Sequence, residues 1–417
     1  MQKLEVFGAN RLKGQIKISG SKNASLPILA ATLLSNKKIY LSNLPKVKDI
    51  ETMLSLLESL GSKIKKVNDK IVIDNSNQKK TFASYNLVKT MRGSILVLGP
   101  LLAKFKKAKV SSPGGCSIGV RPIDIHLKAL SKLGVKYKID QGYVIASAPR
   151  GLIGAKIHFS KISVGATENL IIAANLAKGT TILSNCAIEP EIKDLVNFLI
   201  KIGCNIKWIA KRKIKIIGTK EIKEANYSVM FDRIEASTYL IAAAITGGNL
   251  KIKNIISNII KTEIDLLKKI GAKINSRKNE LHIIGNKKIK SINISTSPYP
   301  GVATDIQAQM MVLLCKANNR SIIKENIFEN RFMHVAELNR MGAKILVKGN
   351  KAFVEGNTNF VPAEVMATDL RASVSLILAA LTAEGKSVIN RIYHLDRGYE
   401  KIETKLKSVG ARIRRIK

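Results

Sequence analysis

The chain is short of acidic residues, aromatics, cysteine and long apolar runs, and each shortage excludes something. Its four cysteines are Cys116, Cys186, Cys204 and Cys315. None forms a CxxC pair, and none stands near histidine at zinc-finger spacing, so neither a disulfide framework nor structural zinc is expected and the thiols read as reduced. No stretch approaches eighteen uninterrupted apolar residues, so no transmembrane helix is expected. The opening MQKLEVFGAN lacks the apolar core of a signal peptide, which makes the cytoplasm the default address. Thirty acidic residues face seventy lysines and arginines, a net charge of +40. Such a balance suits a nucleic-acid binder. The lysines are scattered, however, in a chain also rich in Ile and Asn, residues that share A/T-rich codons. Aromatics make up only 5% and no RRM-like signature occurs. An anionic small-molecule substrate fits the charge equally well, because a positive field focuses anions into a cleft.

The hydrophobic content of 46% over 417 residues allows a sizeable core in two or three domains. A repeat runs through the chain. LLESLGSKI, LKALSKLGVKY, VNFLIKIGCNI, IDLLKKIGAKI, AELNRMGAKI and KLKSVGARI each end a helical pattern at a glycine and enter a strand. The glycines, Gly61, Gly134, Gly203, Gly271, Gly342 and Gly410, recur roughly every 70 residues. Glycine suits the left-handed turn that stops a helix. Alternation after it, as in AKINSRKNELHIIG, predicts paired strands. Upstream lies a second kind of helix, small and apolar all round, as in SLPILAATLLS, ENLIIAANLAKG, ASTYLIAAAITGG and RASVSLILAALTAEG. Such helices must be buried on every side. The period is too long for common solenoids. The reading is therefore α/β, with two domains of three βαβαββ-like units, helices inside and sheets outside.

Charged and polar residues collect at the starts of the buried helices. GSKNASLP sets Lys22 and Asn23 just before one begins, KTMRGS sets Arg92 similarly, SVGATENL sets Ser163 as a possible cap, and MATDLRAS sets Asp369 and Arg371 at the next such junction. A helix N-terminus favours anions and a basic side chain adds full charge. The plainer reading of each is a helix cap or a solvated cation. Their recurrence at one topological position points to helix starts converging on one cleft. IFENRFMHVAEL adds Glu329 and Arg331, and YHLDRGYEKIE adds Asp396 and Arg397. These arginines suit carboxylates and phosphates, or else pair with local acids. PGVATDIQAQ offers Asp305 as a general base or as a cap. PGGCSIGVRP puts Cys116 after two glycines, either as a presented thiol or as the closure of a turn. No histidine has triad or metal spacing.

Taken in order, GSKNASLPILAA, KTMRGS, PGGCSIGVRPIDIH, KISVGAT, ATDIQAQ, FENRFMHVAEL, ATDLRAS and RIYHLDRGYEKIE resemble the enolpyruvyl transferases that act on UDP-N-acetylglucosamine in peptidoglycan precursor synthesis. The resemblance covers essentially the whole chain. It implies a two-domain inside-out α/β barrel with three repeats per domain. One domain spans 22–230 and the other 1–21 plus 231–417, with the active site in the cleft between them. It implies transfer of the enolpyruvyl group of phosphoenolpyruvate to the 3-hydroxyl of UDP-N-acetylglucosamine by addition and elimination, releasing phosphate. No metal, organic cofactor, nucleic acid or membrane insertion is implied; the oligomeric state stays open.

Residue by residue, the resemblance makes Cys116 the general acid and site of covalent adduct formation, on a loop that Gly114 and Gly115 let fold over substrate. Asp305 takes or orients the sugar hydroxyl proton. Lys22 and Arg397 complete the catalytic set. Lys22, Asn23, Arg121, Arg331, Arg371 and Arg397 bind phosphoenolpyruvate. Arg92, Arg121, Pro122, Ile123, Asp124, Ile125, Lys161, Ile162, Ser163, Val164, Asp305 and Ile327 contact the nucleotide sugar, and Asp369 helps position the reacting groups. The rival with the same chemistry is a synthase acting on shikimate 3-phosphate. The rival of another class is an RNA-binding protein on a related scaffold.

Overall fold

The structure, a computed structural model, describes residues 2–89, 91–112 and 123–416. Cys116, Arg121 and Pro122 therefore lie outside the described residues. Among those residues the chain divides into two units. One comprises residues within 20–230, the other residues 2–19 and 231–416. The chain passes between them at Ser19–Gly20 and again at Met230–Phe231. Inside the 20–230 unit the Ser21 N–H donates to the Met230 carbonyl at 2.8 Å. Inside the other, the Asp232 N–H donates to the Ser19 carbonyl at 2.9 Å.

Six four-stranded sheets of one design occur among the described residues. In one, Lys156–His158 runs parallel to Thr180–Ser184. Thr180–Ser184 pairs antiparallel with Lys213–Ile217, which pairs antiparallel with Asn205–Ala210. A buried helix, Val164–Ala174, links the first two strands, and an amphipathic one, Pro190–Lys201, leads to the hairpin. This is the βαβαββ unit that the sequence period predicts. Each unit closes on itself by borrowing strands. Ala225–Ser228, late in the 20–230 unit, pairs with Ile39–Ser42 at its beginning. In the other unit Lys13–Lys17 pairs with Asn249–Lys253. There Lys3–Phe7 sits between Lys386–Asn390 and Arg412–Ile416.

The small apolar helices do form the cores. Every residue of Arg233–Ile245 and Gln307–Cys315 is buried. Burial on all sides forces their hydroxyls to find partners in their own backbone. Ser25, Thr167, Ser237, Thr238 and Ser373 each donate to the carbonyl four residues earlier, at 2.7–2.8 Å. Small residues then let helices approach closely. The Gly99 N–H donates to Asn169 Oδ1 at 2.8 Å, and a β-carbon on Gly99 would sit 2.3 Å from that oxygen. The amphipathic helices add one face to these cores, as with Met53 and Leu195, and the six repeat glycines after them have φ between 92° and 115°. That conformation costs glycine little and reverses the chain into the hairpin.

One free edge of each sheet is formed by Lys63–Val67, Lys136–Asp140, Asn205–Ala210, Lys273–Arg277, Ile345–Lys348 or Arg412–Ile416. Each of these strands carries lysine or arginine, and Asp140 is the one acid among them.

Candidate active site

In the 20–230 unit, the helix Lys22–Ala31 begins at Ser21, whose hydroxyl accepts the Ala24 N–H at 3.2 Å. Ser21 is thus the cap, and Lys22 and Asn23 form the first turn rather than preceding it. Lys22 Nζ lies 3.3 Å from Asp49 Oδ2, both side chains nearly buried. Arg92 opens the short helix Arg92–Val97. Its neighbour Gly93 packs on the first helix, since a β-carbon there would meet Leu26 at 3.0 Å. Ser163 caps Val164–Ala174, its hydroxyl accepting the Ala166 N–H at 3.3 Å. Gly165, in the first turn, lies under the His126 ring, 3.2 Å from where its β-carbon would be. Lys161 and Val164 are exposed, while Ile123, Ile125 and Ile162 are half-buried against the core. Asp124 starts the helix Asp124–Lys132 and pairs with Lys128 at 3.3 Å.

His126 joins these helix starts. Asn169 fixes its state. Asn169 Oδ1 accepts from Gly99, so its Nδ2 is the donor that lies 3.2 Å from His126 Nδ1. The ring therefore presents Nδ1 as an acceptor and carries its proton on Nε2. Burial, reinforced by the charge of Arg92 and opposed by Asp124, pushes its pKa down to about 4 from the usual 6.5. As pH falls, the unfolded chain takes up this proton first. Stability due to His126 is present above 6.5 and lost between 6.5 and 4. A His126→Gln variant should gain on the wild type across that window by up to about 3 kcal/mol. Urea midpoints measured for both proteins would test this, and parallel pH curves would refute it.

The other unit gathers acids and arginines. Asp305 lies in the short helix Thr304–Ile306, ahead of the buried helix Gln307–Cys315. It is not a cap. Its Oδ1 accepts from Arg331 Nη2 at 2.7 Å and its Oδ2 from Arg371 Nη2 at 2.8 Å. The arginine side chains are 4% and 7% exposed, the carboxylate 27%. Burial alone would lower the pKa of Arg371, but Asp305 and Tyr399 reverse this and hold it above the ordinary arginine value. Arg331 therefore pairs with Asp305, not with nearby Glu329. Its Nε is buried with no hydrogen-bond partner among the described residues.

Asp369 caps Leu370–Ala380, accepting the Arg371 and Ala372 N–H groups at 2.7 and 3.1 Å. Arg397 ends the helix Ile392–Arg397. Asp396 beside it is clamped by Arg415 through contacts of 2.9 and 2.7 Å. Buried His334, held at about 4 by burial with Asp369 opposing and Arg331 assisting, stays neutral at pH 7. His394 is also lowered, by burial and the charge of Arg397. The unit thus collects Asp305, Arg331, Asp369, Arg371 and Arg397 around the starts of its buried helices. Ile327, 36% exposed, has its N–H held at 2.8 Å by Glu325. Among the described residues, no group of three or more His, Cys, Asp and Glu is placed to hold a metal.

Residues 6–406 match the family model described as EPSP synthase (3-phosphoshikimate 1-carboxyvinyltransferase). The chain belongs to the EPSP synthase family. Within it, the chain is 75% identical over its whole length to the full UDP-N-acetylglucosamine 1-carboxyvinyltransferase of Pelagibacter ubique. It is 50% identical to that of Trichlorobacter lovleyi, over 100% of this chain and 99% of the relative. The fold resembles the enolpyruvyl transferase NikO from Streptomyces tendae, with a TM-score of 0.91, 24% identity, and 99% and 98% of the two chains covered. It also resembles EPSP synthase from Acinetobacter baumannii, with a TM-score of 0.78, 17% identity and full coverage of both chains. The two-domain inside-out α/β arrangement expected from the sequence is the fold of this EPSP synthase family chain.

Several residues that shape the site escaped the sequence reading. Asp49 falls on the apolar stripe it forms with Met53, Leu56 and Leu57, all buried. An acid on such a stripe is a legible sign of a buried partner. Glu325, 2% exposed, accepts from Thr296, Thr304, Ile327 and Phe328. It ties the segment of Asp305 to that of Ile327. Neither it nor the His126–Asn169 pair follows a spacing rule, because their partners lie on other elements.

Proposed function

We propose that this chain transfers the enolpyruvyl group of phosphoenolpyruvate to the 3-hydroxyl of UDP-N-acetylglucosamine, with release of phosphate. The observation that carries this reading is Asp305, a partly exposed carboxylate gripped on both oxygens by nearly buried arginines. A partly exposed carboxylate can serve as a proton acceptor beside an anionic substrate. Arginines that hold such an anion also supply positive charge where phosphate and carboxylate groups must sit. The orphan Nε–H of Arg331 is one donor that an anion can satisfy.

The steps follow from the groups at hand. Lys22 and Asn23, at the start of a buried helix, bind phosphoenolpyruvate with Arg121, Arg331, Arg371 and Arg397. Arg92, the segment Arg121 to Ile125, Lys161 to Val164, and Ile327 hold the nucleotide sugar. Asp305 takes the proton of the 3-hydroxyl as its oxygen attacks carbon 2 of the enol. Cys116 gives a proton to carbon 3, forming a tetrahedral ketal. Loss of a proton from carbon 3 and of phosphate from carbon 2 restores the double bond in the product. We place the activity in the cytoplasm, as the first committed step of peptidoglycan precursor synthesis. No helix among the described residues is long and apolar enough to cross a membrane.

The alternative acceptor is shikimate 3-phosphate, whose synthase gives the family model its description. The 75% identity to a UDP-N-acetylglucosamine enzyme, against 17% to an EPSP synthase structure, favours the nucleotide sugar. Purified protein with phosphoenolpyruvate should release phosphate when UDP-N-acetylglucosamine is added and not when shikimate 3-phosphate is added. The reverse pattern would overturn the assignment.

A further inference from the structure

Behind Asp305 lies a buried polar chain in which Arg371 donates in two directions, to the carboxylate on one side and to Tyr399 on the other. Thr238, on the buried helix Arg233–Ile245, donates its single hydroxyl hydrogen to the Ile234 carbonyl at 2.8 Å. The 2.8 Å contact between Thr238 Oγ1 and Tyr399 Oη must then be donated by Tyr399. With its hydrogen committed, Tyr399 Oη is an acceptor, and Arg371 Nη1 donates to it at 3.2 Å. Arg371 Nη2 donates in turn to Asp305 Oδ2 at 2.8 Å. The guanidinium also lies over the Tyr399 ring, 5.6 Å from its centre. Gln309 braces the same junction, donating to the Asp305 carbonyl at 3.0 Å and to Thr238 Oγ1 at 3.3 Å. Tyr399 and Thr238 are 2% and 1% exposed, so neither is placed to touch substrate from solvent.

We propose that Tyr399 and Thr238 are positioning residues: acting through Arg371, they fix the Asp305 carboxylate in the orientation from which it takes the acceptor's hydroxyl proton. This inference rests on the function proposed above. The physical reason is the geometry of the fork. A guanidinium next to a lone carboxylate prefers to engage both oxygens with two parallel bonds. Here the Tyr399 hydroxyl occupies Nη1, so Nη2 alone reaches Oδ2, and Oδ1 is left to Arg331 Nη2. The two arginines then hold the carboxylate from separate directions and fix its plane. Without the hydroxyl, Nη1 would be a buried donor lacking its acceptor, and turning toward Asp305 would be its nearest remedy. That turn would rotate the carboxylate while leaving both guanidinium charges in place beside it.

The test uses full-length protein and phosphate release from phosphoenolpyruvate driven by UDP-N-acetylglucosamine. Tyr399→Phe keeps the ring and should lower kcat by about tenfold, with KM for both substrates within about twofold of wild type. Thr238→Val, which removes the acceptor for the Tyr399 hydrogen, should do the same, and Thr238→Ser should restore most of the loss. Decisively, adding Tyr399→Phe to Asp305→Asn should change kcat no further, because the positioned group is already gone. A wild-type kcat in Tyr399→Phe, a rise in KM alone, or an equal loss in both backgrounds would each overturn the proposal. The first control separates the two readings. If the wild type releases no phosphate with UDP-N-acetylglucosamine, the functional reading falls and this one with it. If it does and Tyr399→Phe is indistinguishable, only the positioning role falls.

Discussion

Cys116→Ala should lose about 10²–10⁴-fold in turnover, the range a positioned general acid contributes. The thermal midpoint should stay near that of the wild type. The same residue should be the one cysteine alkylated by fosfomycin, an epoxide whose inhibition of such enzymes the sequence resemblance implies. The structure strengthens this expectation by what it does to the other three thiols. Cys186, Cys204 and Cys315 are all buried. Burial pushes each of their pKa values up to about 12. The thiolate is the nucleophile, so at neutral pH these three are both inaccessible and unreactive. UDP-N-acetylglucosamine should accelerate labelling. Cys116→Asp should keep turnover while escaping the drug, because a carboxylic acid can donate a proton yet opens an epoxide poorly. Peptide mass spectrometry after treatment checks the site. An adduct on Cys186, Cys204 or Cys315, or full activity in Cys116→Ala, would rule out the catalytic role for Cys116.

Asp305→Asn should remove a comparable about 10²–10⁴-fold of kcat, the usual share of a general base, but with a different accompaniment. Arg331 and Arg371 would lose the anion they share. Breaking a buried pair by deleting one partner costs about 3–5 kcal/mol. Asp305 is 27% exposed, which puts the expected loss at the lower end. The variant should therefore unfold at lower urea than the wild type, unlike Cys116→Ala. Its KM for phosphoenolpyruvate should not rise, because two cations freed of their carboxylate attract an anionic substrate at least as well. Turnover close to wild type would exclude Asp305 as the base. A raised KM with unchanged kcat would make it a binding group instead.

The repeat was legible because it is built from local rules. A helix that stops at Gly203 and a hairpin that follows it need only neighbouring residues, so the period could be read directly. Apolar faces all round Arg233–Ile245 likewise predicted burial without knowledge of what surrounds it. Ser163 and Asp369 were readable as caps for the same reason. Pairings between distant segments were not readable. Nothing local tells Arg331 to choose Asp305 over Glu329, two residues away. Nothing in YHLDRGYEKIE says that Asp396 belongs to Arg415 or that Tyr399 turns inward to Thr238. The motif order pointed to candidate residues through resemblance, whereas their partners came from the topology. Closure of each unit by borrowed strands was hidden too, because Lys3–Phe7 and Arg412–Ile416 are far apart in sequence and adjacent in one sheet.

The cationic strands at the sheet edges give the net charge of +40 another meaning. An open edge offers unpaired N–H and C=O groups to any passing strand, and six sheets provide many such invitations. KIKKV, KYKID, NIKWIA, KINSR, ILVK and RIRRI meet this by fringing one edge of each sheet with like charge. Two copies approaching edge to edge repel before their backbones can pair. On this view twelve of the seventy lysines and arginines form a fringe that discourages pairing of one sheet edge with another. A fringe of this kind is distributed over every sheet and needs no counterpart on a nucleic acid. It also leaves the cations at the helix starts, such as Arg371, as a separate population fixed by their partners.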